Sequence, residues 1–190
     1  MPTSEHELIR SARAGDQDAF AQLVLTHADR VYGALRRFGL DVSEADEVAQ
    51  EVFLRAWGGL ARFEERAQFS TWLYRIAFNE AQRRLSRRAP PRDEPDADRE
   101  DPVISIPEAP QLGPEAAALD REFKQILERA LAQLPDEWRA AVVLRDIEGL
   151  STQEAAEVVG ARQAAFKSRL HRGRMQLRVL LEPYLKPNEG

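Results

Sequence analysis

The chain of 190 residues contains no cysteine. Disulfide bonds, thiolate metal sites and cysteine nucleophiles are therefore excluded as sources of stability or chemistry. Its three histidines, His6, His27 and His171, stand too far apart along the chain to suggest a histidine metal cage. We therefore expect no metal ion and no cofactor, and a chain that works in the reducing cytoplasm.

Long hydrophobic runs are also missing. No apolar stretch approaches the roughly 18–20 residues that a membrane span needs, and no short one follows the N-terminus as in a signal peptide. Motifs of catalysis are absent as well: there is no glycine-rich phosphate loop, and the adjacent acids Glu64 and Glu65 have no supporting framework. The sequence thus predicts neither a membrane contact of its own nor an enzyme.

An excess of one charge sign occurs in a single segment. The formal net charge of −5 argues by itself against a nucleic-acid partner. Residues 90–114 carry seven acidic and only two basic side chains, so this segment accounts for the whole excess. It also holds seven of the eleven prolines and few large apolar residues. We predict a flexible acidic linker at 90–114 between two domains, 1–89 and 115–190.

The two flanking domains are neutral in sum, yet each contains a basic run. Residues 83–88 read RRLSRR, and residues 162–178 carry six basic side chains and no acidic one. A basic run is often only a solvated helix face. One such run in each domain favours a polyanionic partner instead.

Apolar residues recur with helical period throughout 1–89. They predict a helix that ends near Gly15, a second that ends at Gly39, and a third that Ser43 caps with Asp46 at its third position. A fourth helix is expected over about 70–85. With four helices here and more below, the predicted fold class is all-α, in two small helical domains.

Four aromatic residues, Phe63, Phe69, Trp72 and Tyr74, lie in the loop before the fourth helix and in its first two turns. These rings have two possible roles. They can fill the core, or they can form a platform on which bases of a single strand stack, at roughly 1–3 kcal/mol per base.

The second domain has the pattern of a helix-turn-helix. Helices are expected over about 115–134 and 137–148, and the string Ser151-Thr-Gln-Glu154 is a capping box that opens a short helix ending at Gly160. A longer helix follows over about 163–181. At about 100° per residue its apolar arc faces the core, and the opposite face is suited to a DNA major groove. That opposite face consists of Ala164, Lys167, Ser168, His171, Arg172, Met175 and Arg178.

Three strings in this order and spacing resemble the extracytoplasmic function (ECF) group of sigma factors, the dissociable promoter-recognition subunits of bacterial RNA polymerase. They are DEVAQEVFLRAW (46–57), FSTWLYRIAFN (69–79) and the segment from LP (134–135) through EGLSTQE (148–154) to KSRLHR (167–172). The resemblance spans about 8–88 and 116–181. It implies a sigma region 2 bundle, a linker and a sigma region 4 helix-turn-helix.

The resemblance also implies partners and site residues. The partners are core RNA polymerase, through its β′ clamp helices and β flap, promoter DNA, and an anti-sigma factor. The polymerase surface would include Glu47, Gln50 and Glu51. The melted −10 element would meet Phe63, Phe69, Trp72, Arg75, Asn79 and Arg83. The −35 element would meet Lys167, Ser168, His171 and Arg172.

Two departures from the family pattern stand out. Glu65 replaces a glycine that is often found two residues after the loop phenylalanine, and Ala164-Ala165-Phe166 replaces a common Gly-Thr-Val. The loop conformation and one phosphate or capping contact therefore differ from the pattern, and the −35 sequence read by this chain does not follow from it. An alternative is a stand-alone helix-turn-helix regulator with a helical sensor domain. The aromatic loop and the polar face of the third helix favour the sigma factor.

Overall fold

The computed structural model describes residues 4–64, 67–88 and 117–185, with backbone only for 117–122 and 185. These residues form helices joined by short turns. The helices are α1 (Glu5–Arg13), α2 (Gln17–Phe38), α3 (Val42–Gly59), α4 (Phe69–Ser86), α5 (Ala117–Ala132), α6 (Asp136–Val142), α7 (Thr152–Val158) and α8 (Gln163–Leu185). A 3₁₀ turn, Leu60–Arg62, follows α3, and a π-helical turn, Val143–Ile147, follows α6.

The helix ends follow the local sequence, with one correction. Helix α3 is capped by Asp41, not by Ser43: the Asp41 carboxylate accepts a hydrogen bond from the Glu44 amide at 2.9 Å, and the Glu44 carboxylate accepts one from the Asp41 amide at 3.1 Å. Asp41 with Glu44 and Ser43 with Asp46 both have the spacing of a capping box. The first pair begins the helix, and its hydrogen bonds satisfy backbone amides at the start of α3. Gly39 ends α2 in the left-handed conformation, with φ of 109°.

The N-terminal domain is a bundle in which α2, α3 and α4 contact one another and α1 packs on α2. Its centre is formed by aliphatic side chains that are at most 2% exposed, such as Leu35, Val48 and Leu73. Burying such a side chain stabilises the fold by about 1.5–3 kcal/mol. The buried stripe of α3 therefore fixes its opposite face toward solvent.

The C-terminal domain is organised by α6 and α8. Helix α6 and the following π-helical turn are buried on all sides from Ala140 to Leu144, which is typical of a helix in the middle of a fold. Gly173 of α8 packs directly on α6: a Cβ atom there would lie 2.9 Å from the Trp138 carbonyl oxygen. A single α-helix over 137–148 was expected, and the π-helical turn, with the Glu148 amide bonded to the Val143 carbonyl at 2.9 Å, replaces its last part.

The two domains pack against each other. Helix α4 contacts α7, and α2 contacts α5, α6 and the π-helical turn. Buried apolar residues of both domains belong to one continuous core cluster. The predicted linker at 90–114 lies outside the described residues.

Candidate nucleic-acid interface

Helix α8 has the two faces that its periodicity predicts. Phe166, Leu170 and Gly173 are buried against the domain core. Lys167 is exposed on the opposite side, with Ser168, His171 and Arg172 half-buried beside it. All four side chains predicted to meet the −35 element therefore lie on one helical surface that solvent reaches.

The short helix α7 holds α8 in position. Ser151 and Glu154 form the predicted capping box, with hydrogen bonds of 3.2 and 2.9 Å. Hydrogen bonds from the side chain and the backbone amide of Ser151 to the Glu154 carboxylate lower the pKa of Glu154, because they favour its charged form. Gly160 turns the chain in the left-handed conformation with φ of 68°, and α8 begins three residues later. The geometry is that of a helix-turn-helix.

Two arginines that flank the predicted DNA-binding surface of α8 form ion pairs inside the domain. Arg174 contacts the Asp146 carboxylate through two nitrogens, at 2.9 and 2.5 Å, and the Arg169 Nε atom lies 3.1 Å from a Glu137 oxygen. These pairs tie α8 to the π-helical turn and to α6. A phosphate contact by either arginine would have to compete with its carboxylate.

The three aromatic residues predicted at the −10 site form one cluster. Ring centroids are 5.1 Å apart for Phe63 and Trp72, 5.6 Å for Phe63 and Phe69, and 5.7 Å for Phe69 and Trp72. Phe63 is 4% and Phe69 2% exposed, whereas Trp72 is half-buried. In this conformation Phe63 and Phe69 pack in the core beneath the loop. Of the three rings, only that of Trp72 is partly accessible to a ligand. Residues 65–66 of this loop, with the unusual Glu65, lie outside the described part of the chain.

Polar residues of α4 continue the surface beside Trp72. Arg75 and Asn79 are exposed, one turn apart on the same side of the helix. Arg83 is exposed too, but its guanidinium bonds the Glu80 carboxylate at 2.9 Å, and Arg55 of α3 contacts the same oxygen at 2.9 Å. Four of the six predicted −10 residues, Trp72, Arg75, Asn79 and Arg83, thus lie on one accessible side of α4, whereas Phe63 and Phe69 are buried.

The basic run at the end of α4 is partly neutralised by α3. Arg84 contacts Glu47 at 2.5 Å, and Arg88 contacts Asp41 and Glu44. The bond to Glu47 raises the pKa of the Arg84 guanidinium. Three of the four arginines in the RRLSRR run, Arg83, Arg84 and Arg88, therefore face acids of the same domain, so the basic surface here is smaller than the sequence indicates.

Of the three residues predicted to bind polymerase, Glu47 is engaged by Arg84, while Gln50 and Glu51 are exposed on α3. Gln50 lines a groove of about 800 Å³ between α2 and α3. Apolar side chains form the wall of the groove. They are Phe20, Val24, Tyr32, Phe53, Leu54 and Trp57.

The family-level comparison agrees with this geometry. Residues 23–90 match the family model described as Sigma-70 region 2, and residues 124–177 match that described as Sigma-70, region 4. Together the two matches cover more than half of the chain. The region 2 match lies in the N-terminal domain and the region 4 match in the C-terminal domain. The chain belongs to the ECF sigma factors of the sigma-70 family. It is an alternative sigma factor, which directs promoter-specific initiation of transcription.

Curated relatives match nearly the whole chain. RNA polymerase sigma-H factor of Pseudomonas aeruginosa is 35% identical over 189 residues, with 96% of each chain covered. ECF RNA polymerase sigma factor SigW of Bacillus subtilis is 36% identical over 176 residues, covering 91% of this chain and 94% of that one. The proteins of this family are not enzymes.

Solved structures share the fold. CnrH, solved with the cytosolic domain of CnrY, has a TM-score of 0.68 at 29% identity and covers 95% of this chain and 99% of its own. The sigma factor RpoE of Bartonella quintana, solved with the anti-sigma factor NepR, has a TM-score of 0.63 at 24% identity and covers 86% of this chain and 96% of its own. In the sigma factor described here, no helix of the described segments is long and apolar enough to cross a membrane.

The sequence did not single out the charged residues between region 2 and region 4. Glu148 and Arg139 lie off the apolar stripe predicted over 137–148, and in the structure they are only 8% and 7% exposed. Both contact region 2 across the domain boundary. The one local signal was the apolar run AAVVL (140–144), which indicates an element buried on every side and thus a neighbour that covers its charged flanks.

Proposed function

We propose that region 2 of this sigma factor binds the β′ clamp helices of core RNA polymerase through the polar face of α3 and the adjacent groove. The exposed side chains of Gln50 and Glu51 supply hydrogen-bond partners, and the apolar wall of the groove supplies burial. Asp29 and Asp46 line the same groove, which favours a helical partner that carries basic residues. Glu47 contributes by its ion pair with Arg84, which ties this surface to α4.

Promoter DNA is proposed to bind α4 of region 2 and α8 of region 4. Arg75 and Asn79 would hold the melted −10 strand next to Trp72, and opening of the loop before α4 would release Phe63 for contact with a base. Lys167, Ser168, His171 and Arg172 would read the −35 element, and region 4 would also contact the β flap. The observation that carries this proposal is the single solvent-facing surface of α8 on a capped helix-turn-helix.

The sigma factor would act in the cytoplasm, without catalytic activity of its own and without a cofactor. The proposed domain limits are 1–89 and 115–190, joined by the segment 90–114. A protein inhibitor that covers both domains, an anti-sigma factor, is a further proposed partner. CnrH, which covers nearly the same length of chain, was solved with the cytosolic domain of another protein.

The two surfaces can be tested against each other in one experiment. Purified chain is combined with core RNA polymerase, and binding and promoter-dependent transcription are measured for two double variants. Gln50→Ala/Glu51→Ala should lower polymerase affinity about tenfold or more, since truncation of a hot-spot residue at the centre of an interface costs about 2 kcal/mol or more. Lys167→Ala/Arg172→Ala should lower transcription about tenfold and leave polymerase affinity unchanged, because each lost base or phosphate contact costs about 1–3 kcal/mol.

Each double variant is the control of the other. Unchanged polymerase binding by Gln50→Ala/Glu51→Ala would remove α3 from that interface. Equal loss of polymerase binding in both variants would show that α8 does not act through DNA. Sequence-specific binding of duplex DNA by the free chain, at an affinity that polymerase does not increase, would favour the stand-alone regulator.

A further inference from the structure

One carboxylate of region 2 is buried where α3 meets the second half of α4. The Glu80 side chain is 7% exposed, and its Oε1 atom lies 2.9 Å from Nε of Arg55. The same atom accepts a hydrogen bond from Nη1 of Arg83, also at 2.9 Å. Arg55 belongs to α3 and Arg83 to α4. We name Arg55 and Arg83 the paired arginines, and Glu80 joins them across the two helices.

The paired arginines carry more charge than their acid removes. Their side chains are 53% and 59% exposed, whereas the carboxylate that they share is buried. One carboxylate offsets only one of the two positive charges, so the group of three side chains stays positive. Arg84 and Arg88, by contrast, each contact at least one acid that they do not share with another arginine. The excess of positive charge on this part of region 2 therefore lies at Arg55 and Arg83.

Glu80 fixes the place where that charge is presented. Two guanidinium groups held this close repel each other, and a free arginine side chain samples many rotamers. A buried carboxylate is costly unless charged partners satisfy it, and here both partners approach the same oxygen atom. A guanidinium has five N–H donors, so each arginine can contact Glu80 and a phosphate at once. The buried acid is thus suited to support two cations that solvent reaches.

The paired arginines extend the proposed −10 surface of α4. Arg75, Asn79 and Arg83 follow one another at intervals of four residues on one side of the helix. Glu80 directly follows Asn79 in the chain, and through its carboxylate Arg55 of α3 is held beside the end of this row. A strand that runs along the row toward the C-terminal end of α4 would meet both arginines together.

We propose that Glu80 is a positioning residue and Arg55 a further DNA contact: the shared carboxylate holds Arg55 and Arg83 as one phosphate-binding site for the melted strand. This inference rests on the proposed function of α4. Phosphate contacts fix the register of a nucleic acid without reading its bases, so this site holds the strand while residues earlier on α4 meet the bases. Holding the two side chains in advance lowers the cost of ordering them on binding.

The proposal reverses the effect that removal of a negative charge would otherwise have. A carboxylate beside a phosphate repels it, so on charge alone Glu80→Gln should raise DNA affinity. If Glu80 positions the paired arginines, Glu80→Gln releases both of them and DNA affinity falls. A general defect of the fold would lower polymerase affinity as well. The direction of the change, measured together with polymerase binding, therefore separates the three cases.

The test uses holoenzyme assembled from core polymerase and the full chain. The probe is a duplex that the parent holoenzyme selects from a random-sequence pool, made non-complementary over the −10 element so that the strand is already open. Arg55→Ala should lower affinity for this probe about tenfold, the value of one hydrogen bond to a charged group. It should also reduce the slope of log affinity against log salt by about 0.7, the value for one phosphate on a single strand. Glu80→Gln should lower affinity several-fold, and neither variant should change polymerase binding.

The double variant Glu80→Gln/Arg55→Ala shows whether the carboxylate acts through the arginine. Effects of residues that act together are not additive, so Glu80→Gln should cost less DNA affinity in the Arg55→Ala background than in the parent. Arg10→Ala is the matched control, because Arg10 is exposed on α1 and its loss removes the same charge away from α4. It should leave both the affinity and the salt slope as in the parent.

The outcomes separate the inference from the function on which it rests. Unchanged or higher DNA affinity in Glu80→Gln overturns the positioning role, and so does an equal cost in both backgrounds. Lower polymerase affinity in Arg55→Ala overturns its assignment to DNA. If Glu80→Gln loses helical content, Glu80→Asp replaces it: the charge stays but is drawn back by one methylene, and lower DNA affinity is again expected. If the parent holoenzyme selects no duplex from the pool, the proposed function fails and this inference fails with it.

Discussion

At the scale of single residues, His27 shows how burial sets a protonation state. The side chain is 8% exposed; its ring meets Phe69 edge-on at 5.4 Å, and its Nε2 atom lies 3.3 Å from a Glu5 carboxylate oxygen. Burial lowers the pKa of His27 from 6.5, with Arg30 acting in the same direction and Glu5 opposing it. The folded protein therefore holds this imidazole neutral at pH 7.

The lowered pKa of His27 predicts a pH dependence of stability. Below pH 6.5 the unfolded chain binds a proton that the folded chain does not, so the free energy of unfolding falls as pH drops from 6.5 toward the folded pKa. The slope in this window reaches at most about 1.4 kcal/mol per pH unit for one proton. His27→Gln should reduce this slope, as measured by urea unfolding between pH 7.5 and 5.5. The exposed His6 gives the control His6→Gln, and equal slopes in the parent and in His27→Gln would contradict the prediction.

At the scale of helices, the contact of α6 with α8 is limited by the size of one side chain. A Cβ atom on Gly173 would lie 2.8 Å from the Val142 Cγ2 atom and 2.9 Å from the Trp138 carbonyl oxygen. A backbone oxygen cannot move aside as a flexible side chain can. Helix α8 therefore sits on α6 at a distance that only glycine permits.

Gly173→Ala should destabilise the protein, although alanine is the better helix former by about 1 kcal/mol. Overpacking typically costs about 1–3 kcal/mol, which exceeds that gain. Gly58→Ala is the matched control, since a Cβ atom there meets nothing within 4 Å. It should be neutral or stabilising by up to about 1 kcal/mol. Thermal unfolding followed by circular dichroism measures both variants, and a Gly173→Ala protein as stable as Gly58→Ala would disprove the tight contact.

At the scale of the whole molecule, the closed arrangement depends on a few polar contacts between the domains. One of them is the hydrogen bond of 2.9 Å that Arg139 of α6 donates to the Phe38 carbonyl at the end of α2. A Cβ atom on Gly39 would lie 2.7 Å from Nη2 of Arg139, the nitrogen that donates to the Phe38 carbonyl. Arg139 is 7% exposed, and its guanidinium group would have to shift from its present position beside the Phe38 carbonyl to make room for that Cβ atom.

Gly39→Ala should therefore open the domains and increase the radius of gyration in X-ray scattering. Gly15→Ala is the matched control: both glycines end helices of region 2 with positive φ, 109° and 97°, but a Cβ atom on Gly15 meets nothing within 4 Å. Both variants carry a backbone strain of about 1–2 kcal/mol, and only Gly39→Ala also displaces Arg139. The same radius of gyration in both variants would show that Arg139 does not hold the domains together.

The sequence by itself determined the helices, the two faces of α8, the capping box at Ser151 and the family. Each of these depends on residues a few positions apart, and the local chain encodes them through helical period and end chemistry. Only the tertiary structure decided that Phe63 and Phe69 pack inward, that Glu148 is buried, and that region 4 closes on region 2. The partners of Glu148 lie 118, 111 and 74 positions away. No local pattern records which distant surface covers a charged residue, because that depends on how two finished domains fit together.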